Sequence, residues 1–250
     1  MKLIAAKDYD EMSLIAARFF AAQVLLKPTS LFGFATGSTP IGLYKELIRK
    51  NADGKITFKY AHTVNLDEYY GMSRDKKQSY YSFMHENLFD HIDINPENTR
   101  LPDGMAEDPD AECAANDKHI ADLGGVDMQL LGIGHDGHIG FNEPADHFST
   151  GTNCVTLTAM TIDANKRFFN SADEVPRKAL TMGMREIMQA KKIIMVVSGK
   201  DKAQILYDSF CGPVTPQVPA SILQLHPDFT LVADEAALSV MKAHCSKCCK

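Results

Sequence analysis

No run of apolar residues in this 250-residue chain approaches the about 20 that a membrane-spanning helix needs. A helical membrane protein is thereby excluded. Lys and Arg total 26 against 32 Asp and Glu, a formal net charge of -6, so the basic face of a nucleic-acid binder is missing. Cysteine is sparse and uneven. Cys113, Cys154 and Cys211 stand alone, while Cys245, Cys248 and Cys249 crowd the end, which makes no disulfide framework. The opening Met1-Lys2-Leu3-Ile4-Ala5-Ala6 meets Lys7, Asp8 and Asp10 at once and forms no signal-peptide core. These absences together predict a cytoplasmic protein with reduced thiols and with neither nucleic-acid nor membrane partners. No repeat, linker or composition shift divides the chain, so residues 1–240 are expected to form one domain. The Cys-rich residues 241–250, whose C-x-x-C beside His244 lacks a second ligand pair, read as a disordered tail.

What is present is an ordinary globular balance, 45% hydrophobic and 23% charged, in a chain long enough to bury one substantial core. Apolar runs bounded by glycine or polar punctuation predict strands at Leu31–Ala35, Thr63–Leu66, Met128–Ile133, Cys154–Leu157, Ile193–Ser198 and Thr230–Val232. Helical spacing predicts helices over Glu11–Leu26, Ile41–Ile48, Ser79–Phe89, Asp110–Leu123, Arg177–Ala190 and Lys202–Phe210. The segment Asp90–Glu107, rich in Pro, Asn and Asp, reads as surface loop. Alternating strands and helices predict an α/β fold, a mainly parallel sheet in a three-layer α/β/α sandwich. In such sheets functional residues gather where strands end and helices begin.

The first such junction is Gly33-Phe34-Ala35-Thr36-Gly37-Ser38-Thr39-Pro40. Gly37 permits a tight turn, Ser38 and Thr39 bring hydroxyls, and the following helix offers free N–H groups with partial positive charge. This is either an anion cradle or a plain helix cap by Ser38 or Thr39. The Walker lysine is missing, so a nucleotide P-loop is not indicated. Arg167 and Lys202 are the cations that would complete an anion site. A lysine at a helix start opposes the helix dipole, which suggests an anionic partner, although a solvated surface lysine is the commoner reason.

The densest polar run follows the strand ending at Ile133: Gly134-His135-Asp136-Gly137-His138-Ile139-Gly140-Phe141-Asn142-Glu143-Pro144. Gly132, Gly134 and Gly137 spell G-x-G-x-x-G, but no helical period follows and proline ends the run, against a dinucleotide site. An imidazole, His138, lies between two carboxylates, Asp136 and Glu143, which would fix its tautomer and raise its pKa for proton transfer. A metal site from His135, Asp136, His138 and His147 is the alternative, without the i, i+4 His pair of a zincin helix. After the strand at Thr63–Leu66, Asp67 and Glu68 place two more carboxylates, one a candidate general base. A turn cap by Asp67 is the competing reading.

These pieces, in this order, resemble the glucosamine-6-phosphate deaminase family. The matching stretches are Ala35–Pro40, Asn65–Tyr69, Ser79–Met84, Leu131–Pro144, Asn165–Phe169, Val175-Pro176 with Ala179–Gly183, Ser198–Ala203 and Pro219–His226. The resemblance implies conversion of glucosamine 6-phosphate and water into fructose 6-phosphate and ammonia, in amino-sugar catabolism, with no metal and no cofactor. It implies that Asp67 is the base that moves the C2 proton to C1 and that His138 is the shuttle for ring opening. Asp136 and Glu143 would be the carboxylates that orient His138. Thr36, Gly37, Ser38, Thr39, Arg167 and Lys202 would hold the phosphate. It also implies a mobile lid around residues 153–182, and leaves His135 without a role.

Oligomeric relatives carry an allosteric site with basic residues shortly after Asn-Glu-Pro. Residues 145–165 here contain no Lys or Arg, so the expectation is a non-allosteric enzyme, monomer or homo-oligomer. Two other readings remain: a 6-phosphogluconolactonase, and a non-catalytic sugar-phosphate sensor. The intact Asp67-Glu68-Tyr69 and Phe141-Asn142-Glu143-Pro144 segments favour the deaminase over the first. The second would dispense with Asp67 and His138 and would bring a basic DNA-binding segment, which this sequence does not show.

Overall fold

Strands with no polar side to show must be covered on both faces, and that requirement builds this fold. The computed structural model describes residues 1–169 and 171–244. In chain order the elements are β1 (Lys2–Ala6), α1 (Tyr9–Leu26), β2 (Leu31–Phe34), α2 (Ile41–Ala52), β3 (His62–Asn65) and β4 (Asp67–Tyr70). Then come α3 (Tyr80–Asn87), β5 (Thr99–Arg100), α4 (Pro109–Asp122), β6 (Met128–Leu131), β7 (Asn153–Thr156) and α5 (Ala159–Asn165). The chain continues with β8 (Lys178–Thr181), α6 (Met184–Gln189), β9 (Ile193–Val197), α7 (Ala203–Cys211), β10 (Phe229–Asp234) and α8 (Ser239–His244).

A seven-stranded sheet runs in the order β1-β10-β9-β6-β2-β3-β5, every pairing parallel. Its central strands β2, β6, β9 and β10 are buried along their whole length, as expected of strands covered by helices on both faces. Aromatic packing joins the sheet to a helix. Phe20 of α1 lies 5.6 Å from both Phe32 and Phe34 of β2. Asp127, just before β6, fastens the sheet's amino end. Its carboxylate accepts from Leu31 N at 2.9 Å, Lys27 Nζ at 2.7 Å and Lys191 Nζ at 2.8 Å.

A smaller antiparallel sheet, β4-β8-β7, stands apart from this frame. Tyr69, Phe141, Leu157, Ile162, Val175 and Ala179 form its own apolar cluster.

The α/β architecture with a mainly parallel sheet agrees with expectation, and several elements differ. The helix expected over Arg177–Ala190 is two elements, β8 and the short α6. Leu180 pairs with Glu68 and Cys154 in an extended register, and Gly183 is the N-cap of α6. The strand expected around Cys154 exists as β7, but in the antiparallel sheet. Asp67 and Glu68 follow the end of β3 as expected, and they also begin a further strand, β4. Strand β1 was not anticipated, and the loop expected at Asp90–Glu107 contains the edge strand β5. The core also reaches past residue 240, since Met241 of α8 is fully buried. Cys245, Cys248 and Cys249 lie outside the described residues. Among the described residues no helix is long and apolar enough to cross a membrane.

Candidate active site

The strand order reverses between β2 and β6: β3 and β5 build outward on one side, β9, β10 and β1 on the other. At such a switch point the loops leaving the carboxyl ends of neighbouring strands part and leave a crevice. The segments singled out in the sequence follow β2, β3, β6 and β9, so the topology directs all of them to this edge.

At the end of β2, Gly37 adopts a positive φ of 93°. Neither Ser38 nor Thr39 caps α2. Pro40 is the N-cap residue and no side chain caps the helix. That sets aside the cap reading and leaves the hydroxyls of the turn uncommitted to the helix, whose first N–H groups favour an anion. Lys202 precedes α7 from the end of β9. Burial lowers its pKa most; the charges of Asp201 and Asp136 oppose that and the Arg167 guanidinium adds to it. The Arg167 guanidinium itself lies over the Phe168 ring at 4.7 Å.

Asp67 and Glu68 part company here. Glu68 accepts the backbone N–H groups of Tyr69, Tyr80 and Tyr81, each at 2.9 Å, and so anchors the start of α3. Asp67 has no such anchor among the described residues. Burial, then the Glu68 charge, raises its pKa to about 8. A carboxylate buried without donors is a proton acceptor near neutral pH. The loop after β6 packs directly against it. A Cβ on Gly140 would lie 3.6 Å from Asp67 Oδ2 and 2.9 Å from Thr181 Oγ1, so a side chain here would crowd the base. Thr181 Oγ1 also accepts Phe141 N at 3.0 Å, and Asn142 Nδ2 donates to Ile139 O at 2.9 Å and Met182 O at 2.8 Å.

His138 Nδ1 lies 2.6 Å from Asp136 Oδ1, a close contact without the geometry of a hydrogen bond. The same oxygen accepts His138 N at 3.1 Å. Burial works to raise the Asp136 pKa, but the His138 contact and charge outweigh it and hold the carboxyl below its usual value. The imidazole ring lies across Gly134, where a Cβ would fall 2.2 Å from His138 Cε1.

Glu143, expected beside His138, points elsewhere. It accepts Thr158 Oγ1 at 2.8 Å and Thr158 N at 3.1 Å, and also the Thr161 hydroxyl. Thr158 is the N-cap of α5, so unpaired N–H groups and hydroxyls draw the carboxylate there. Among the described residues, His, Cys, Asp and Glu form no group of three suited to a metal. His135, Asp136, His138 and His147 therefore do not converge as the sequence allowed, and His135 pairs with Asp201 instead. Thr181 and Asp234 were not foreseen. Buried Asp234 accepts Gly199 N at 3.1 Å and the Ser198 hydroxyl, fixing the turn that leads to Lys202. Nothing in spacing marks either residue, because their partners are distant in sequence.

The arrangement defines a doubly wound α/β protein with acid–base groups and cations at its switch point. The family model for glucosamine-6-phosphate isomerases and 6-phosphogluconolactonases matches residues 26–231. A glucosamine-6-phosphate deaminase of Lachnoclostridium phytofermentans is 55% identical over 232 residues, 93% of this chain and 98% of that one. One from Clostridioides difficile is 50% identical over 239 residues, 96% of each chain. A monomeric glucosamine-6-phosphate deaminase of known structure superposes with a TM-score of 0.94 at 44% identity, covering 96% of this chain and 100% of that one. A 6-phosphogluconolactonase from Thermotoga maritima shares the fold, with a TM-score of 0.73 at 19% identity over 93% and 98% of the two chains. The chain belongs to the glucosamine-6-phosphate isomerase/6-phosphogluconolactonase family.

Proposed function

We infer that this protein is a glucosamine-6-phosphate deaminase, an enzyme of amino-sugar catabolism acting in the cytoplasm. The observation that carries the reading is Asp67, a buried carboxylate without hydrogen-bond donors, its pKa raised to about 8, on the same loop-lined edge as the His138–Asp136 pair. Relatives that bear this activity by name, at 50% identity and above over nearly the whole chain, support it.

The phosphate of the sugar sits on the turn Thr36–Thr39 and the start of α2, opposite Lys202 and Arg167. With the phosphate fixed, the carbon chain lies along the crevice toward the acid–base groups. His138, oriented by Asp136, moves the proton from the O1 hydroxyl to the ring oxygen and opens the pyranose. Asp67 then removes the proton from C2. The electrons flow to the C1 aldehyde, whose oxygen takes a proton from the C2 ammonium of the substrate to give an enolamine, and Asp67 returns its proton to C1. The resulting C2 imine adds water and expels ammonia, leaving fructose 6-phosphate. Every step is a proton transfer, an addition or an elimination, and no hydride or electron changes hands. A role for Glu143 beside the imidazole would require it to leave Thr158 and Thr161.

The enzyme works as a non-allosteric monomer in this reading. Its support is the absence of Lys and Arg from residues 145–165 and the likeness to a monomeric relative. A cavity of about 360 Å³ beside Glu143, walled by Phe148, Asn153, Val155 and Pro216 among others, has no Lys or Arg in its lining.

The test is to incubate the protein with glucosamine 6-phosphate and a chelator while following ammonia and fructose 6-phosphate together. Equimolar release is expected. Folded protein that yields neither product but hydrolyses 6-phosphogluconolactone would replace this reading with the lactonase.

A further inference from the structure

His135 and Asp201 are 66 residues apart in sequence, and His135 Nε2 lies 2.9 Å from Asp201 Oδ2. The pair bridges the loop after β6, which carries Asp136 and His138, to the turn after β9, which carries Lys202. Asp201 Oδ1 folds back over Gly199, where a Cβ would lie 2.6 Å from it. Both side chains are more than half exposed, 56% for His135 and 61% for Asp201, so the pair contributes little to folding stability.

Its significance lies in where the charge stands. Asp201 is the immediate neighbour of Lys202, and its charge acts on the Lys202 ammonium ahead of that of Asp136. An anion drawn to Lys202 and Arg167 must therefore approach a fixed negative charge one residue away. A donor on Asp201 Oδ2 offsets that charge, and His135 is that donor.

We propose that His135 is a positioning residue for the anionic end of the substrate: its hydrogen bond occupies Asp201 Oδ2 and ties that turn to the proton-transfer loop, leaving Lys202 free to hold a phosphate. This rests on the reading that Lys202 belongs to the phosphate site. Without His135, Asp201 turns its charge on Lys202 and repels the incoming phosphate. The proton transfers at C1 and C2 are not touched directly.

The experiment measures KM and kcat for glucosamine 6-phosphate, and the inhibition constant of inorganic phosphate, in His135→Ala, Asp201→Asn, the double variant and Lys202→Ala. His135→Ala should raise KM and the phosphate constant together by roughly three- to fivefold, with kcat changed less. The rise should shrink toward 1 M salt, where exposed charges are screened. In the double variant both constants should return close to wild type, because the carboxylate charge beside Lys202 is gone. Lys202→Ala separates the two levels of the argument. If it moves neither constant, the phosphate site is misplaced and the proposal falls with it. If Lys202→Ala raises both while His135→Ala leaves them unchanged, the role of His135 alone is overturned. The same holds if the double variant is no better than His135→Ala.

Discussion

Glu68 and Asp67 are adjacent carboxylates on one strand with opposite fates: Glu68 receives three backbone N–H groups at 2.9 Å, and Asp67 receives none among the described residues. The sequence offers both as bases. The start of α3 consumes one and leaves the other to the crevice. Asp67→Asn should therefore lower kcat by on the order of 10³-fold while substrate binding stays measurable by titration. Turnover within tenfold of wild type would remove Asp67 as the base.

The raised pKa of Asp67, about 8, sets a direction for the pH profile. The base acts only when ionised, and its ionised fraction grows as pH rises through that value. kcat/KM should climb toward a plateau above about pH 8, on a limb that Asp67 governs. A profile already flat from pH 5 upward would show an ionised carboxylate at neutral pH and contradict the burial argument.

The same shift bears on stability with the opposite sense from a salt-bridged acid. The folded pKa lies above the unfolded one, so ionisation favours the unfolded chain as pH rises past about 4. Asp67→Asn removes that penalty. It should stabilise the protein by on the order of 2–4 kcal/mol at pH 7, and the gain should vanish near pH 3. Urea unfolding at the two pH values checks both halves. Equal stability of wild type and variant at pH 7 would mean that Asp67 is solvated.

These contrasts mark what a sequence can and cannot display. Strands β2, β6 and β9 were legible because strands buried on both faces read as unbroken apolar runs, with their functional turns attached. The segment Lys178–Thr181 was not. Four residues of mixed polarity carry no usable period, and only pairing with β4 and β7 makes them a strand. Asp67 begins a strand for the same reason, although Asp-Glu is a poor strand opening by propensity. In the site, Asp136 and His138 were legible as partners because two residues in one turn can hardly avoid each other. Glu143 finds Thr158 fifteen residues away, and His135 finds Asp201 across the sheet. Such contacts depend on tertiary geometry, which local spacing does not encode.

The Glu143 contact has a consequence for α5. Thr158 caps the helix with its own hydroxyl, accepting Thr161 N at 3.3 Å, and holds Glu143 at the same time. Thr158→Val should cost about 1 kcal/mol from the lost cap. It should also couple to Glu143→Gln, because each variant breaks the same link. In a thermal-unfolding double-mutant cycle we expect non-additivity of at least about 0.5 kcal/mol. Strict additivity would show that Glu143 draws nothing from the helix start.

Acid should loosen the sheet at Asp127. Burial works to raise this carboxyl, but hydrogen bonds from Lys191 and Lys27 outweigh it and leave the pKa below the ordinary value. A folded pKa below the unfolded one gives stability that is present above about pH 4 and drains away as pH falls through the folded value. The two lysines are 42% and 53% exposed at their side chains, so solvent screens much of the attraction. Asp127→Asn should therefore cost about 1–2 kcal/mol at pH 7, mostly through weakened hydrogen bonds to Leu31 N and the two ammonium groups. At pH 2.5 the wild-type carboxyl is itself neutral, and the two unfolding curves should converge. A gap that persists unchanged at pH 2.5 would mean that the aspartate contributes through shape rather than charge. The three-way junction of β2, β6 and β9 would then rest on packing alone.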